Sequence, residues 1–207
     1  MDILTADAHG ITRVVELLRA GEVIGFPTDT VYGLAAAARR EEAVRRLLAL
    51  KLKPPATPIA LLAASVDQLL RALPALDARD ATIARTLLPG PYTLVLGNPG
   101  GPFPWLCGET TGSIGVRVPE LDASARAILE RAGPVAATSA NLHGGPDPRT
   151  LADVPDEIRA AALLVDGGEL PGTPSTVIDF TAAEPRVIRE GAAPSTDAVG
   201  RVLAALR

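Results

Sequence analysis

Cysteine is almost missing from this sequence. The single Cys107 excludes a disulfide within the chain and any zinc site built from several cysteines. Aromatic residues are scarce, at 3%, so alanine, leucine and valine must fill the core of a chain that is 47% hydrophobic. An excess of positive charge is also lacking. The net charge of −4 argues against nucleic-acid binding driven by bulk charge, and leaves room only for a local basic groove. No apolar run approaches the ~20 residues of a membrane span. The first residues, MDILTADAHG, have neither the basic start nor the apolar core of a secretion signal. The expectation is a soluble cytoplasmic protein with no membrane partner. Its 207 residues suit one domain or two small ones.

Several catalytic motifs are absent as well. There is no G-x-x-x-x-G-K-[ST] loop and no G-x-G-x-x-G, so a nucleotide would be held in neither of the usual ways. There is no G-x-S-x-G elbow and no H-E-x-x-H. The two histidines, His9 and His143, fall in a helix start and a loop. A Cys107–His143 nucleophilic pair exists on paper only.

What is present is an alternation of short apolar runs and amphipathic stretches. Asp7 can cap a helix over 9–20, which Gly21 stops. Residues 41–50 form an amphipathic helix with Glu41 and Glu42 at its dipole-favoured start. Further helices are expected over 66–73, 78–88, 123–132 and 197–206, the last capped by Ser195 or Thr196. Strands are expected over 23–26, 58–63, 92–96, 114–118, 134–137, 163–165, 175–180 and 186–189. Between two of these elements, residues 34–38 read only as a small-residue segment. This interleaving predicts an α/β fold. Its sheet should be mixed, because the last strands lack intervening helices.

Polar residues gather at the predicted strand ends. Pro27 ends the first strand, and Thr28, Asp29 and Thr30 follow it, where ligands bind in open α/β sheets. The alternative is an ordinary polar turn. In Lys51-Leu52-Lys53-Pro54, proline biases Lys53 toward an extended shape, so two ammonium groups can converge on one anion such as a phosphate chain. The alternative is a solvated helix end. Arg117 sits in an apolar strand and needs an anionic partner, either a carboxylate side chain or a ligand. Ser139 and Asn141 alternate after another strand and can face one cleft. The Gly/Pro-rich loop 97–108 reads as a surface loop pinned by Phe103 and Trp105. Hydroxyls, two lysines, Arg117 and Arg189 suit the orientation of polar, anionic reactants more than covalent catalysis.

The segments PTDTVYGL, K-x-K-P, LLPGPYTLVL, SIGVRVP, ATSAN, PSTVID and VIREGA, in this order, resemble the YrdC family of threonylcarbamoyl-AMP synthases. The resemblance implies a single YrdC-like domain over 1–207, with a twisted mixed sheet flanked by helices and a large open cleft. It implies a reaction joining L-threonine, bicarbonate or CO2 and ATP, with Mg2+, into threonylcarbamoyl-AMP and pyrophosphate. A partner transferase would then modify the adenosine beside the anticodon of tRNA.

By the same resemblance, Lys51 and Lys53 correspond to a K-x-R pair on the ATP phosphates and are the catalytic candidates. Thr57, Ser113, Ser139, Asn141, Asp147 and Arg189 fall at nucleotide contacts. Thr30, Arg117, Ala137 (through its backbone) and Ser175 fall at threonine contacts. Four positions depart from the pattern, among them Leu62, which stands where some members have a histidine. Lys53 stands for an arginine, which turns a bidentate fork into a point charge. Thr57 stands for a frequent asparagine, and Asp147 for a smaller residue. A nucleotide- or RNA-binding module of the same fold, and a carbamoyl-transfer enzyme with another acceptor, are the rival readings.

Overall fold

The computed structural model describes residues 3–4, 7–109 and 111–207. Strand β1 (Ile3–Leu4) precedes helix α1 (Ala8–Ala20). The Asp7 carboxylate accepts from the N–H groups of His9 and Gly10 at 3.0 and 2.8 Å, satisfying two free donors of the first turn. Gly21, at φ 93°, ends the helix in the left-handed region. Next come β2 (Ile24–Pro27), β3 (Tyr32–Ala37), α2 (Glu41–Leu50) and β4 (Ala60–Leu62). Helices α3 (Val66–Ala72) and α4 (Ala78–Leu87) are capped by Ser65 and Asp77. Strands β5 (Tyr92–Gly97) and β6 (Ser113–Arg117), helix α5 (Ala123–Ala132) and strand β7 (Val135–Ser139) follow. The chain closes with α6 (Asp156–Ala161), β8 (Leu163–Val165), β9 (Thr176–Asp179), β10 (Arg186–Arg189) and α7 (Ser195–Ala205).

The described strands form one mixed ten-stranded sheet in the order β1-β8-β2-β3-β7-β4-β6-β5-β9-β10. Its register sorts the side chains onto two faces. One face presents Leu34, Ala36, Leu61, Val116, Leu94, Leu96 and Ile178, and is covered along its length. Val44 and Leu47 of α2, Leu69 of α3, Ile83 and Leu87 of α4, and Val202 of α7 complete that core. The opposite face is covered over only half the sheet. There Val14 and Leu18 of α1 and Ile128 and Leu129 of α5 lie on Ile24, Phe26, Ala35, Val135, Ala137 and Leu62. From β6 to β10 no helix among the described residues covers this second face, and it forms a cleft wall.

Several local expectations are corrected. Residues 34–37 belong to a strand, β3, whose residues are nearly all buried on both faces. It therefore shows no polar alternation by which to be read. Because β3 returns antiparallel to β2, residues 28–31 are a hairpin turn and not the mouth of a strand–helix crossover. The Lys51–Lys53 segment is not extended. Lys51 is helical, at φ −82° and ψ −1°, and Leu52 is left-handed, at φ 55°, so the two lysines part. Ser195 lies inside the first turn of α7 and donates its hydroxyl proton to Glu190. Pro194 holds the cap position. The loop over 97–108 is pinned as expected: Phe103 is buried, and Trp105 Nε1–H donates to the Ala38 carbonyl at 2.7 Å. Among the described residues no helix is long and apolar enough to cross a membrane.

Candidate functional site

A cavity of about 480 Å³ opens over the uncovered part of the sheet. Strand alternation supplies its floor: Ser113, Gly115 and Arg117 of β6, Thr93 and Val95 of β5, and Val177 and Asp179 of β9. Gly115 keeps the floor low, since a Cβ there would touch nothing nearer than 3.7 Å. The edge strand β10 adds Arg186, Ile188 and Arg189. A bulge between Val187 and Arg189 turns two consecutive side chains, at 188 and 189, toward the cavity.

Arg117 is 9% exposed and lies in this floor. It pairs with the Asp29 carboxylate, and its Nη2 donates to Thr30 Oγ1 at 2.7 Å. Asp29 is steadied in turn by the Glu120 N–H at 3.0 Å. Burial pulls the Arg117 pKa below its ordinary value, and the neighbouring Asp29 charge opposes that. Arg117 Nε is buried with no hydrogen-bond partner. A buried guanidinium with an open donor is a site for an incoming anion. The carboxylate partner foreseen for Arg117 is therefore Asp29. Thr30, expected to face a ligand, is fully buried and instead holds Arg117. Thr28 lines the cavity in its place, bonded to Thr30 Oγ1 at 3.0 Å. Ala137 and Ser175 both line the cavity. Ser175 Oγ is bonded to Thr93 Oγ1 at 2.8 Å.

Besides Arg117, the cations of the lining are Lys53, Arg189 and Arg186. Arg189 Nη2 donates to the Ser175 carbonyl at 2.7 Å, which fixes the guanidinium against β9. Burial, and then the nearby Arg189 charge, lowers the pKa of Lys53.

Lys51 is 1% exposed and does not line the cavity. Its ammonium group donates to the Ser139 carbonyl, to the Asn141 carbonyl at 2.7 Å and to Asn141 Oδ1 at 2.6 Å. The three acceptors use all three of its protons. Burial, reinforced by the Lys53 charge and opposed by Asp147, brings its pKa down to about 7. Asn141 also accepts from Ser139 Oγ at 2.7 Å, and donates to the Gly145 carbonyl at 2.6 Å and to Asp147 Oδ1 at 3.3 Å. Lys51 and Asn141 thus form a buried clamp behind Ser139 and Asp147, which do line the cavity.

Of the residues singled out in the sequence, Lys53, Ser113, Arg117, Ala137, Ser139, Asp147, Ser175 and Arg189 meet in one cavity. Thr30, Lys51 and Asn141 stand behind it. Thr57 lies outside its lining, in a turn where its N–H donates to the Pro54 carbonyl. Sequence reasoning missed Thr93, Asp179, Arg186 and Ile188. The alternation within residues 92–97 and 176–179 was the available signal for the first two. Cys107 also lines the cavity, but its partners are Asn98 Nδ2 at 3.2 Å and the Phe103 carbonyl. Burial raises its pKa, which disfavours the thiolate, and His143 is exposed elsewhere on the 140s loop. Among the described residues no group of three or more His, Cys, Asp or Glu side chains is placed to hold a metal ion.

Comparison with known proteins supplies independent findings. The Sua5/YciO/YrdC family model, described as telomere recombination, matches residues 16–191. The threonylcarbamoyl-AMP synthase of Pyrococcus abyssi is 34% identical over 179 residues, covering 86% of this chain and 52% of that protein. The chain thus spans about half the length of that relative. The threonylcarbamoyl-AMP synthase of Chromohalobacter salexigens is 36% identical over 86% of this chain and 96% of its own length. The crystal structure of P. abyssi Sua5 complexed with L-threonine superposes with a TM-score of 0.88 at 31% identity, covering 98% of this chain and 61% of that one.

Proposed function

Since this chain belongs to the Sua5/YciO/YrdC family, we propose that it is an L-threonylcarbamoyladenylate synthase, with residues 1–207 acting as one domain. Its substrates are L-threonine, bicarbonate or CO2, and ATP. Its products are threonylcarbamoyl-AMP and pyrophosphate. The observation that carries this reading is one cavity lined both by Arg117, with its unpartnered buried Nε, and by the cations Lys53 and Arg189. A zwitterion and a polyphosphate need those two kinds of contact side by side.

Arg117 takes the threonine carboxylate, and Thr30 and Asp29 hold the guanidinium in place. Ser175 and the Ala137 backbone complete the amino-acid side. Lys53, Arg189, Ser113 and Ser139 take the nucleotide. Lys51, beneath them, fixes the Ser139–Asn141 segment. Thr57 flanks the nucleotide from its turn. The threonine amino group adds to CO2 to give a carbamate and a proton. A carbamate oxygen then attacks the α-phosphorus, and the bond to the pyrophosphate oxygen breaks. Holding a labile carbamate against ATP supplies effective concentration, and the cations stabilise charge on the departing phosphates. The donors beside Ser139 are oxygens, which suits Mg2+ arriving with the triphosphate. When bound, that ion neutralises charge on the phosphates. The product passes to a transferase that modifies tRNA.

The test is pyrophosphate release measured with threonine, bicarbonate and ATP, and with each omitted in turn. Release should require all three and should fall by about 100-fold or more in Lys53→Ala. Release that ignores threonine, or an undiminished Lys53→Ala, would overturn the proposal.

A further inference from the structure

Two carboxylates line the cavity and a third stands behind it, and they differ in how well they are satisfied. Asp29 is paired with Arg117 and bonded to the Glu120 N–H. Asp179 accepts from Arg186 Nη2 at 3.0 Å and from the Thr181 N–H and hydroxyl at 2.9 and 2.6 Å. Asp147 accepts one long hydrogen bond, from Asn141 Nδ2 at 3.3 Å, and forms no ion pair among the described residues. Lys53 lines the same cavity, yet it is not within ion-pair distance of Asp147. A nearly bare carboxylate therefore faces the cavity in which the proposed function places a triphosphate.

The side chains around Asp147 are already committed. Asn141 spans two cavity groups, with Oδ1 accepting from Ser139 Oγ and Nδ2 donating to Asp147. Because the Ser139 proton is turned to Asn141, the lone pairs of Ser139 Oγ remain free. Because Lys51 spends its three donors on Ser139 and Asn141, none is left for Asp147. One amide thus holds a free hydroxyl oxygen and a free carboxylate in the same neighbourhood. Against a polyphosphate anion alone, this carboxylate is repulsive. With a divalent cation between them it becomes a ligand. Mg2+ in such sites characteristically takes one or two carboxylates, phosphate oxygens and water.

We propose that Asp147 is the protein ligand of the divalent cation that accompanies the nucleotide, with Ser139 Oγ beside it. This rests on the proposed nucleotide site. It assigns the open carboxylate a role that depends on metal, so its effect on ATP binding must change sign when metal is removed.

The experiment is calorimetric titration of ATP into the full chain, once in EDTA and once with Mn2+, for the wild type, Asp147→Asn and Asp147→Ala. Electron paramagnetic resonance of Mn2+ in the same mixtures reads the ion's environment directly. In EDTA both variants should bind ATP about 3- to 10-fold more tightly than the wild type, since a like charge is gone. With Mn2+ they should bind about 10-fold or more weakly, and the protein-dependent change in the Mn2+ spectrum should fade. Weakening by the same factor with and without Mn2+, or a spectrum identical to the wild type's, would overturn the proposal. Asp147→Asn keeps the size of the side chain and can still bond Asn141, so agreement between the two variants excludes a packing effect. If the wild type binds no ATP in either condition, the proposed function falls first and takes this inference with it. If it binds ATP normally and only the variants fail to invert, the inference falls alone.

Discussion

One face of the sheet is two different surfaces. Over β2, β3, β7 and β4 it carries Ile24, Phe26, Ala35, Val135, Ala137 and Leu62, and α1 and α5 lie on it. Over β6, β5 and β9 the same face carries Ser113, Gly115, Arg117, Thr93, Val95, Val177 and Asp179; there Arg117 meets Asp29 and Thr30 of the 28–31 turn, and among the described residues no helix lies on it. The other face is mainly apolar, with Thr138 and Thr176 among its few polar residues. The cleft is thus a missing layer of helix, and the residue types follow the missing layer. Where a helix covers the strand, the alternate positions are all apolar. Where the strand is bare, polar and charged residues stand among a few valines.

The boundary between the two surfaces runs between β4 and β6, where Leu62 is paired with Arg117. Arg117→Leu extends the apolar half across that boundary and should have the largest effect. Asp29 would be left buried with only the Glu120 N–H, at a cost of about 3–5 kcal/mol. Synthesis should also fall by about 1000-fold, as the guanidinium on the substrate carboxylate is lost. Adding Asp29→Asn should recover most of the stability and none of the activity. Urea midpoints and pyrophosphate release for the single and double variants separate the two roles. Recovery of activity in the double variant would show that Arg117 serves only to neutralise Asp29.

The covered and bare halves should answer truncation differently. Ile128→Ala, on the buried side of α5, should cost about 2–5 kcal/mol and leave the activity of the folded fraction unchanged. Val177→Ala, on the bare half, should cost under about 1 kcal/mol, because no element covers it from above. Its effect should appear as a raised KM for ATP. Equal stability losses at the two sites would mean that the bare half is covered in solution.

Much of this division was legible from the residues. Helices α1 and α2 could be placed because their end signals and periodicity are local: Asp7 and Gly21 for the first, Glu41 and Glu42 at the start of the second. Arg117 announced itself because an arginine in an apolar strand must have a partner. What escaped depends on distant chain. β3 has no alternation because both of its faces are buried. Lys51 looked like a solvent-facing or ligand-facing cation, but its acceptors lie about ninety residues away, in Ser139 and Asn141. The bulge in β10 that aims both Ile188 and Arg189 into the cleft is set by pairing with β9, and no residue type encodes it.

Filling the bare half should block ligands without unfolding the chain. Gly115→Leu places an apolar side chain on the open floor, where a Cβ meets only Ala60 and Thr93 at van der Waals distance. The fold should survive, with a melting temperature close to that of the wild type. ATP and threonine binding should weaken by about 1–3 kcal/mol, roughly 5-fold to 150-fold, because the added volume competes with the ligands. Calorimetric titration checks the binding and circular dichroism the fold. A large loss of stability with unchanged binding would place the cavity floor elsewhere.

A pH-dependent effect concerns Lys51, which is buried behind the Ser139–Asn141 segment at the end of β7. Its pKa falls from the ordinary 10.5 to about 7. Below about pH 7 the lysine is charged in both the folded and unfolded chains, so the full burial cost of the charge is carried. Between about pH 7 and 10.5 the unfolded chain keeps the proton and the folded chain releases it. The unfolded state then binds more protons, and stability rises with pH by up to about 1.4 kcal/mol per pH unit. Lys51→Met has no such group, so the wild type should gain on it steadily from pH 7 to 9.5 in urea titrations. A polyphosphate in the cleft favours the charged form, so ATP binding near pH 8 should take up protons. Titrations in buffers of different ionisation enthalpy would detect that uptake, and Lys51→Met should lose it. A stability difference that is flat with pH, together with ATP binding that moves no protons, would mean that Lys51 stays charged throughout and acts only as the clamp on Ser139 and Asn141.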